Sequence, residues 1–292
     1  MKLSVIIPCY NAADTISEQM EALAGQSWTE PWEVVLVNNR STDNSVAIVR
    51  SYKDRLPGLR IVDAFERQGQ PYALSTGIKA ASGESVAFCD SDDVVGEGWV
   101  AAMGNALAEH EFVASRMDTE KLNSDWLQQS RGNSQLDELP VIWYPPHMKH
   151  AGGGTLGIRR SLCLDVGDFD DGLPCLHDTD YCFRIQQRGV ELQFVPEAVM
   201  HIRFRDSLFD IYSQARNYAK YNVKLSKRYR EPLEKNIKGL LRPWVRYLRK
   251  WIRQVRLLPQ LRNKVTRGKW FWSLGWQVGR LQGSLIHRVP PV

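Results

Sequence analysis

Three carboxylates lie within four residues, at Asp90, Asp92 and Asp93, directly after the apolar run at 85–88. Charges so close together repel one another, so a cation is expected to compensate them. Mg²⁺ and Mn²⁺ prefer oxygen ligands and commonly combine one or two carboxylates with phosphate oxygens of a substrate. A turn or helix cap rich in Asp is the simpler alternative at a strand end. The triplet alone leaves both interpretations open.

A second acidic pair, Asp178 and Asp180, follows His177 and opens a helix-like run. A carboxylate can take the proton of a hydroxyl group as that group attacks an electrophilic carbon. Acids also stabilise the positive N-terminal end of a helix, so a capping role is the alternative and is compatible with catalysis. Arg184 lies four residues after Asp180, and we expect it to pair with that carboxylate as structural support.

The segments that must position these acids alternate between strand-like and helix-like patterns. The strand-like runs are 3–7, 34–37, 59–62 and 85–88. The polar clusters that follow them are 8–11, 38–43, 63–67 and 90–93. Repeated β–α units predict an α/β fold with a mostly parallel sheet and helices on both faces. Such sheets bind ligands at the carboxyl ends of their strands, so the four clusters are expected to form one site.

Several classes of protein are disfavoured by what the sequence lacks. Neither the glycine fingerprint of a dinucleotide-binding fold nor a phosphate loop is present, which argues against a dehydrogenase or an ATPase. No apolar stretch approaches the ~20 residues that span a bilayer. The five cysteines have no zinc-type spacing and are expected to be reduced thiols of a cytosolic protein.

The net charge of +5 conceals a division of the chain at residue 223. Residues 224–292 hold 18 Lys and Arg against two acids, which gives 18 − 2 = +16. Residues 1–223 hold the other 20 bases and 31 acids, which gives 20 − 31 = −11. We therefore expect a catalytic domain at 1–223 and a basic, Trp-rich helical tail at 224–292.

Taken together and in order, the motifs resemble those of the family 2 glycosyltransferases. The matching segments are SVIIPCYN at 4–11, VNNRSTD at 37–43, GIKAASG at 77–83, FCDSDD at 88–93, VGDFD at 166–170, DTDYCFR at 178–184 and VPEA at 195–198. They cover roughly residues 3–205 and leave the tail outside. The resemblance implies a GT-A-like nucleotide-sugar-binding fold, extended by the basic helices, that transfers a sugar from a nucleoside-diphosphate donor.

The resemblance also implies a divalent metal cofactor, Mg²⁺ or Mn²⁺. In that family an Asp-x-Asp motif helps to bind the ribose of the donor and the metal that bridges its two phosphates. Asp90 and Asp92 match this motif, and Asp93 is a substitute ligand. His201 is a further candidate metal ligand, with a purely structural role as the alternative. The residues expected to contact the nucleotide sugar are Pro8, Tyr10, Asn11, Asn39, Arg67, Asp90 and Ser91.

Asp178 matches the catalytic carboxylate of the family, which implies a single displacement that inverts the anomeric centre. The polar segment 119–150 is expected to reach over the cleft towards a glycan or lipid-linked acceptor. The residues expected to contact the acceptor are Trp143, Gly153, Gly154 and His177. The glycines at 152–154 allow either a close backbone approach or a tight turn.

The sequence departs from the family pattern at several positions. His177 replaces a common Glu, Asn38 and Asn39 replace common Asp residues, and Leu74 replaces a common Arg. A non-catalytic relative that binds sugar nucleotides or glycans, and serves as a membrane scaffold, is therefore the alternative function. A nucleotidyltransferase that uses a nucleoside triphosphate and a sugar phosphate is a third.

Apolar residues recur every three or four positions between Leu240 and Leu258, with basic residues between them. This pattern predicts an amphipathic helix that lies on an anionic membrane, which implies a cytoplasmic protein held peripherally on the inner face of the cell membrane. Packing on the catalytic domain or on the second subunit of a homodimer is the alternative. No nucleic-acid motif accompanies the charge, so nucleic acid is not expected as a partner. Gly275, Gly279 and Gly283 predict a close helix contact.

Overall fold

The computed structural model describes residues 1–229, 237–256, 258 and 261–291, without the side chains of 237–243 and 253. Packing divides the chain into two compact units. The first consists of residues 1–121, 134–140 and 149–203. The second consists of residues 122–133, 141–148 and 204–292.

The first unit is built on one eight-stranded sheet, counted over the described part of the chain. Its strands are β1 (Leu3–Cys9), β2 (Trp32–Asn38), β3 (Arg60–Asp63), β4 (Ser85–Phe88), β5 (Val94–Val95), β6 (Phe112–Asp118), β7 (Leu156–Arg159) and β8 (Gln193–His201). Their spatial order is β3-β2-β1-β4-β7-β6-β8-β5. β7 runs antiparallel to β4 and β6, and β5 runs antiparallel to β8. The other pairs are parallel, which confirms the predicted α/β fold.

Helices connect these strands and form the second unit. They are α1 (Ile16–Ala24), α2 (Ser45–Arg50), α3 (Gln70–Ala80), α4 (Trp99–Glu109), α5 (Asp125–Arg131), α6 (Arg160–Val166), α7 (His177–Gln186), α8 (Leu208–Tyr229), α9 (Ile237–Arg256) and α10 (Lys264–His287). A short 3-10 helix, Gly153–Thr155, precedes β7. α5, α8, α9 and α10 belong to the second unit.

Strand β1 is buried along its whole length because both of its faces are covered. Ile7 packs in the same core cluster as Ile16 and Met20 of α1. Ile6 packs in the other cluster with Leu74 and Ile78 of α3. A strand covered on both faces reads as a continuous apolar run, which is the pattern at residues 3–7. Helices therefore lie on both faces of the sheet, as predicted.

The register places the ends of four strands side by side. Cys9 of β1 lies opposite Asn38 of β2, and Asn38 lies opposite Asp63 of β3. On the other side of β1, Ile6 lies opposite Phe88 of β4. The polar clusters that follow β1 to β4 therefore share one edge of the sheet, as the sequence predicted.

In the second unit, α8 and α10 pack with their backbones close together. A Cβ atom at Gly275, Gly279 or Gly283 would collide with the α8 carbonyl oxygens of Tyr212, Arg216 or Lys220, respectively. The predicted close helix contact is confirmed. The sequence-based division at residue 223 falls within α8, and packing groups the whole of this helix with the tail. None of the described helices combines the length and the apolarity needed to cross a membrane.

Candidate active site

The carboxylates of Asp90, Asp92 and Asp93 converge at the end of β4. One oxygen from each lies within 4.8 Å of the others, and no further group of three candidate metal ligands occurs in the described chain. Asp93 is only 5% exposed. Burial raises its pKa well above the usual value, and the charges of Asp90 and Asp92 raise it further. Because all three donors are carboxylate oxygens, the cluster fits a hard divalent cation.

Neighbouring side chains hold the loop that carries this cluster. Gln19 of α1 donates to the Asp90 carbonyl oxygen at 3.2 Å, and Thr15 donates to the Ser91 carbonyl oxygen at 3.1 Å. The backbone N–H of Arg203 donates to Asp93 Oδ1 at 2.8 Å, and its guanidinium donates to the Asp92 carbonyl oxygen at 3.0 Å. The loop is thus fixed from both sides before any ligand binds.

Asp90 is held by its side chain as well as by its backbone. Gln70, at the start of α3, donates to Asp90 Oδ1 at 2.7 Å. On the other side, a Cβ atom added to Gly154 would lie 2.9 Å from Asp90 Oδ2 and 3.1 Å from the Asp90 nitrogen. The second glycine of the 3-10 helix therefore gives the backbone a close approach to Asp90, and the acceptor contact expected of Gly153 and Gly154 stays a prediction.

Asp178 lies in the first turn of α7, which begins at His177. Its Oδ1 accepts a hydrogen bond from the Thr179 N–H at 2.7 Å. Its Oδ2 accepts one from the Gly153 N–H at 2.9 Å. The carboxylate is partly exposed, so it combines a fixed orientation with access to solvent. A position in the first turn also benefits from the helix dipole, so capping and proton acceptance are compatible.

Asp180, two residues further along α7, has a different environment. It is fully buried and accepts a hydrogen bond from Arg184 Nε at 2.9 Å. The Arg184 guanidinium also donates to the carbonyl oxygens of Val166 and Asp168, at 3.2 and 2.9 Å. The predicted supporting pair is confirmed, and it ties α7 to the segment that precedes it.

Two imidazoles lie near Asp178, one buried and one partly exposed. His177 is 5% exposed and meets Phe169 edge to face, with 5.7 Å between ring centroids. Burial lowers the pKa of His177, and the charge of Asp178 and the nearby Leu173 carbonyl partly offset this effect. Neither ring nitrogen has a partner with hydrogen-bond geometry. Burial also lowers the pKa of His150, against the same Asp178 charge. His150 was not predicted, because no local pattern marks it. The acceptor contact of His177 stays a prediction.

His201 ends β8 and pairs with Asp118 at the end of β6. Its Nδ1 lies 2.9 Å from Asp118 Oδ1, an arrangement that often orients a histidine whose other nitrogen binds a metal. Its Nε2 lies near the backbone of Gly96, since a Cβ atom added to Gly96 would be 3.6 Å from this nitrogen. The carboxylate cluster at Asp90 does not include His201. Its role as a metal ligand therefore stays a prediction.

The amide of Asn39 is committed to the backbone of the loop after β3. Its Nδ2 donates to the carbonyl oxygens of Ala64 and Arg67, at 2.5 and 2.8 Å. Its Oδ1 accepts from the Gly69 N–H at 2.7 Å. Asn39 thereby shapes the loop that leads into α3, and its contact with a nucleotide stays a prediction.

The other expected nucleotide contacts lie at the ends of β1 and β3. Tyr10 is 53% exposed, whereas Pro8 is buried within β1. Asn11 has a φ of 47°, and its Oδ1 accepts from the Thr42 N–H at 2.8 Å. Arg67 pairs with Asp171 and lies over the ring of Tyr72, 4.7 Å from its centroid. The structure thus places these residues at the predicted edge, and contact with a nucleotide remains to be tested.

The sequence model described as Glycosyl transferase family 2 matches residues 4–167, which is more than half of the chain. The chain belongs to glycosyl transferase family 2. The predicted family membership is therefore confirmed, and the match covers the strands that carry the Asp90 cluster.

Two curated relatives match parts of the chain. YibD, a glycosyltransferase of Escherichia coli K12, is 36% identical over 133 residues, which cover 46% of this chain and 37% of YibD. TarS of Staphylococcus aureus, a poly(ribitol-phosphate) beta-N-acetylglucosaminyltransferase, is 30% identical over 144 residues, which cover 49% of this chain and 25% of TarS. The matched segments thus span well under half of either relative.

Solved structures share the fold over nearly the whole chain. Residues 1–349 of TarS in complex with UDP-GlcNAc superpose with a TM-score of 0.58 and 18% identity, covering 99% of this chain and 93% of that one. The mannosyltransferase PcManGT of Pyrobaculum calidifontis, in complex with GDP-Man and Mn²⁺, gives a TM-score of 0.60 and 19% identity, covering 98% and 75%. The likeness confirms the GT-A-type fold.

The departures from the family 2 pattern have structural counterparts. Leu74, where an Arg is common, is 1% exposed and belongs to the core cluster below α3. Asn38 donates to Asp63 Oδ1 at 2.9 Å and accepts from the Ser41 N–H at 3.0 Å.

Trp143 belongs to the second unit, where it is 55% exposed and packs edge to face on Tyr144. Its contact with an acceptor stays a prediction.

Proposed function

We propose that this family 2 protein is a metal-dependent, inverting glycosyltransferase. It transfers a sugar from a nucleoside-diphosphate sugar to a glycan or lipid-linked acceptor. The observation that carries this proposal is the placement of the 3-10 helix Gly153–Thr155. Gly153 donates to Asp178, and Gly154 approaches Asp90, so one short segment brings the carboxylate cluster and a separate carboxylate into one site.

Asp90 and Asp92 would hold the cation, with Asp93 behind them. When bound, Mg²⁺ or Mn²⁺ neutralises charge that develops on the departing nucleoside diphosphate. Asp93 lies at the back of the cluster, where a bound cation would offset the repulsion from Asp90 and Asp92 that raises its pKa. The buried supports around the loop keep the ligand oxygens in place without further rearrangement.

Asp178 would act as the general base. The acceptor hydroxyl attacks the anomeric carbon, its proton passes to an Asp178 oxygen, and the bond to the diphosphate breaks with its electron pair leaving on the diphosphate. Attack opposite to the leaving group inverts the anomeric centre in one step. The N–H groups of Gly153 and Thr179 orient the carboxylate for this transfer.

The compared proteins support the class of donor. The TarS structure contains UDP-GlcNAc, and the PcManGT structure contains GDP-Man with Mn²⁺. By its name, TarS acts on poly(ribitol-phosphate). For the present chain, a nucleoside-diphosphate sugar is the proposed donor, and a polymer or lipid-linked chain at the cell envelope is the proposed acceptor.

We propose further that α9 docks on an anionic membrane surface at its cytoplasmic face. Large apolar side chains are exposed along this helix, among them Leu248 at 58%, Ile252 at 56% and Val255 at 59%. Exposed basic residues, including Arg246 and Arg249, accompany them. An amphipathic helix of this kind buries its apolar stripe in the interface, and each basic residue near the surface adds about 1 kcal/mol.

The donor is tested by a thermal-shift screen of nucleotide sugars with and without Mn²⁺. A ligand that binds only the folded state raises the Tm. We expect one class of nucleoside-diphosphate sugar to stabilise the protein, and the shift to require the metal. If no nucleotide sugar stabilises it under either condition, or if a nucleoside triphosphate with a sugar phosphate is consumed instead, the proposal is wrong.

Membrane docking is tested by flotation with vesicles of phosphatidylglycerol. We expect the double variant Leu248→Ser, Ile252→Ser to bind at least about tenfold less than the wild type, because it removes apolar area from the interface. Leu164→Ser is the matched control, since Leu164 is 51% exposed in the first unit. A wild-type chain that does not float, and whose oligomeric state changes in the double variant, would show instead that this face joins two subunits.

A further inference from the structure

The described part of the second unit contains a buried cation. Arg280 of α10 is 5% exposed, whereas most Lys and Arg side chains of the tail reach solvent. Residues 224–292 contain two acids in all, Glu231 and Glu234, and both lie outside the described residues. A buried charge is costly unless an opposite charge or hydrogen bonds compensate it. The compensation of Arg280 therefore needs an explanation.

Helix α9 crosses α10 beside this arginine. Tyr247 Oη donates to the Gln277 carbonyl oxygen at 3.2 Å, and Gln254 Nε2 donates to the Trp270 carbonyl oxygen at 2.7 Å. These two pairs make the helices antiparallel, since the sequence number rises along one as it falls along the other. Arg280 lies one helical turn beyond Gln277 and thus beside the α9 turn that contains Tyr247.

Two more cations belong to that part of α9. Arg246 and Lys250 are four residues apart, so they share one face of the helix. The pKa of Arg280 is lowered to about 10, mainly by burial and also by the positive charge of Arg246, against the influence of Tyr247. Burial also lowers the pKa of Lys250, as do the charges of Arg280 and Arg246. Arg246 is adjacent to Tyr247 and Lys250 lies about one turn after it, so both belong to the part of α9 that lies beside Arg280.

The Arg280 guanidinium has a hydrogen-bond donor that no described residue accepts. Its Nε is buried and makes no hydrogen bond with any residue that the structure describes. None of the ion pairs among the described residues involves Arg280. A buried, unpaired donor on a cation, beside two further cations, is the environment that an anion would stabilise.

We propose that Arg280, Arg246 and Lys250 form a binding site for a phosphate group, either a monoester or a diester. A guanidinium offers paired N–H donors that match two phosphate oxygens, and a lysine adds a compact point charge. Two sources supply this chemistry: the headgroup of an anionic lipid, and the phosphate of a soluble polyol-phosphate chain. The site shares no residue with the Asp90 cluster and does not depend on the proposed sugar transfer.

The first experiment measures the Tm of the full chain in chloride buffer, with and without glycerol 1-phosphate and inorganic phosphate. At about ten times the Kd, we expect the wild type to gain about 3 °C or more. Arg280→Gln and the double variant Arg246→Gln, Lys250→Gln should lose this gain. Arg267→Gln should keep it, since Arg267 is an exposed cation on the same helix and the charge change is identical.

The stability of Arg280→Gln without phosphate separates a binding role from a structural one. Removing an uncompensated buried charge should leave the Tm in chloride unchanged or higher. If Arg280 serves packing alone, the variant loses the same number of degrees with and without phosphate, and the proposal is overturned.

The second experiment distinguishes the two sources, with vesicles of phosphatidylcholine that contain or lack phosphatidylglycerol. For a lipid headgroup, Arg280→Gln binds the anionic vesicles at least about fivefold more weakly than Arg267→Gln. For a soluble chain, the two variants bind vesicles equally, although glycerol phosphate still raises the Tm of the wild type. If no phosphate probe shifts the wild type and both variants bind vesicles equally, the site does not exist.

Discussion

The backbone N–H of Gly153 donates a hydrogen bond of 2.9 Å to Asp178 Oδ2, and thereby fixes the proposed base against the segment that also approaches Asp90. Because the next residue is Gly154, the backbone can lie close to Asp90. Asp90 and Asp178 are 88 positions apart in sequence, yet they contact two consecutive residues of one segment.

Gly154→Ala should weaken metal-dependent binding of the donor. The added Cβ atom would lie 2.9 Å from Asp90 Oδ2, so the carboxylate or the 3-10 helix must move. We expect a loss of about tenfold in donor affinity, or about 1.4 kcal/mol, measured by calorimetry in the presence of Mn²⁺. Gly25→Ala is the control, because its Cβ atom would meet nothing closer than 3.7 Å. An unchanged affinity in Gly154→Ala would separate Asp90 from the donor site.

Glu33→Gln should destabilise the first unit in a pH-dependent way. Glu33 is 3% exposed and accepts hydrogen bonds from Ser4 Oγ at 2.6 Å, the Ser82 N–H at 2.7 Å and Arg60 Nε at 2.9 Å. Burial alone would raise its pKa, but these bonds outweigh burial and lower it. Its folded pKa lies below its unfolded value of about 4.3, so its contribution is present above that pH and is lost as the pH falls through the folded pKa.

We expect Glu33→Gln to lower the free energy of unfolding by about 2 kcal/mol near neutral pH, since it leaves hydrogen-bond donors without a charged acceptor. The difference from the wild type should shrink below about pH 4. Urea unfolding at both pH values measures it. Glu84→Gln, at an exposed pair with Lys2, is the control and should have little effect. A difference that grows towards acid pH would have the wrong sign.

His177→Glu should destabilise the protein although it restores the residue that family 2 commonly has there. A carboxylate at this 5% exposed position would lie beside Phe169 and next to Asp178, where burial and like charge both oppose it. We expect a loss of about 2 kcal/mol or more in urea unfolding, against a smaller loss for the neutral His177→Gln. Equal stability of the two variants would show that this position tolerates a buried charge.

Much of the first unit could be predicted because its determinants are local. The run at 85–88 ends where Asp90 begins the polar cluster, and β4 has these same bounds. Helix α1 begins at Ile16, because residues 12–15 form a turn in which the Thr15 N–H donates to the Ala12 carbonyl oxygen. Helix α10 begins at Lys264, where Asn263 caps it by accepting from the Thr266 N–H.

The rest depends on contacts between distant segments, which local patterns do not encode. His150 lies near Asp178 only because the chain before β7 folds against α7, where Gln186 donates to the Lys149 carbonyl oxygen at 2.7 Å. The hydrogen bonds by which the Asn39 amide holds a loop about 25 residues further on are likewise not marked by any local pattern. Burial of Arg280 likewise follows from helix packing, not from sequence pattern.

Gly279→Ala should loosen the second unit. Its Cβ atom would collide with the Arg216 carbonyl oxygen on α8, and the helices would have to separate. Overpacking of this kind costs about 1–3 kcal/mol, measured as a fall in Tm or as faster hydrogen exchange in α8 and α10. Leu285→Ala is the control, because Leu285 is 69% exposed on the same helix. Unchanged exchange in Gly279→Ala would mean that these helices pack otherwise.

Asp92 is proposed to hold the metal, and Asp178 is proposed to act as the general base. Measuring donor binding and sugar transfer on one variant of each residue tests these roles most directly, with the donor found in the screen and with Mn²⁺. Asp178→Asn should bind the donor within about twofold of the wild type, yet transfer at least about a hundredfold more slowly. Asp92→Asn should lose most of the metal-dependent binding. Asp165→Asn, the same change at a carboxylate that is exposed on α6, should alter neither. Transfer at the wild-type rate by Asp178→Asn, or unchanged metal-dependent binding by Asp92→Asn, would contradict the proposed mechanism.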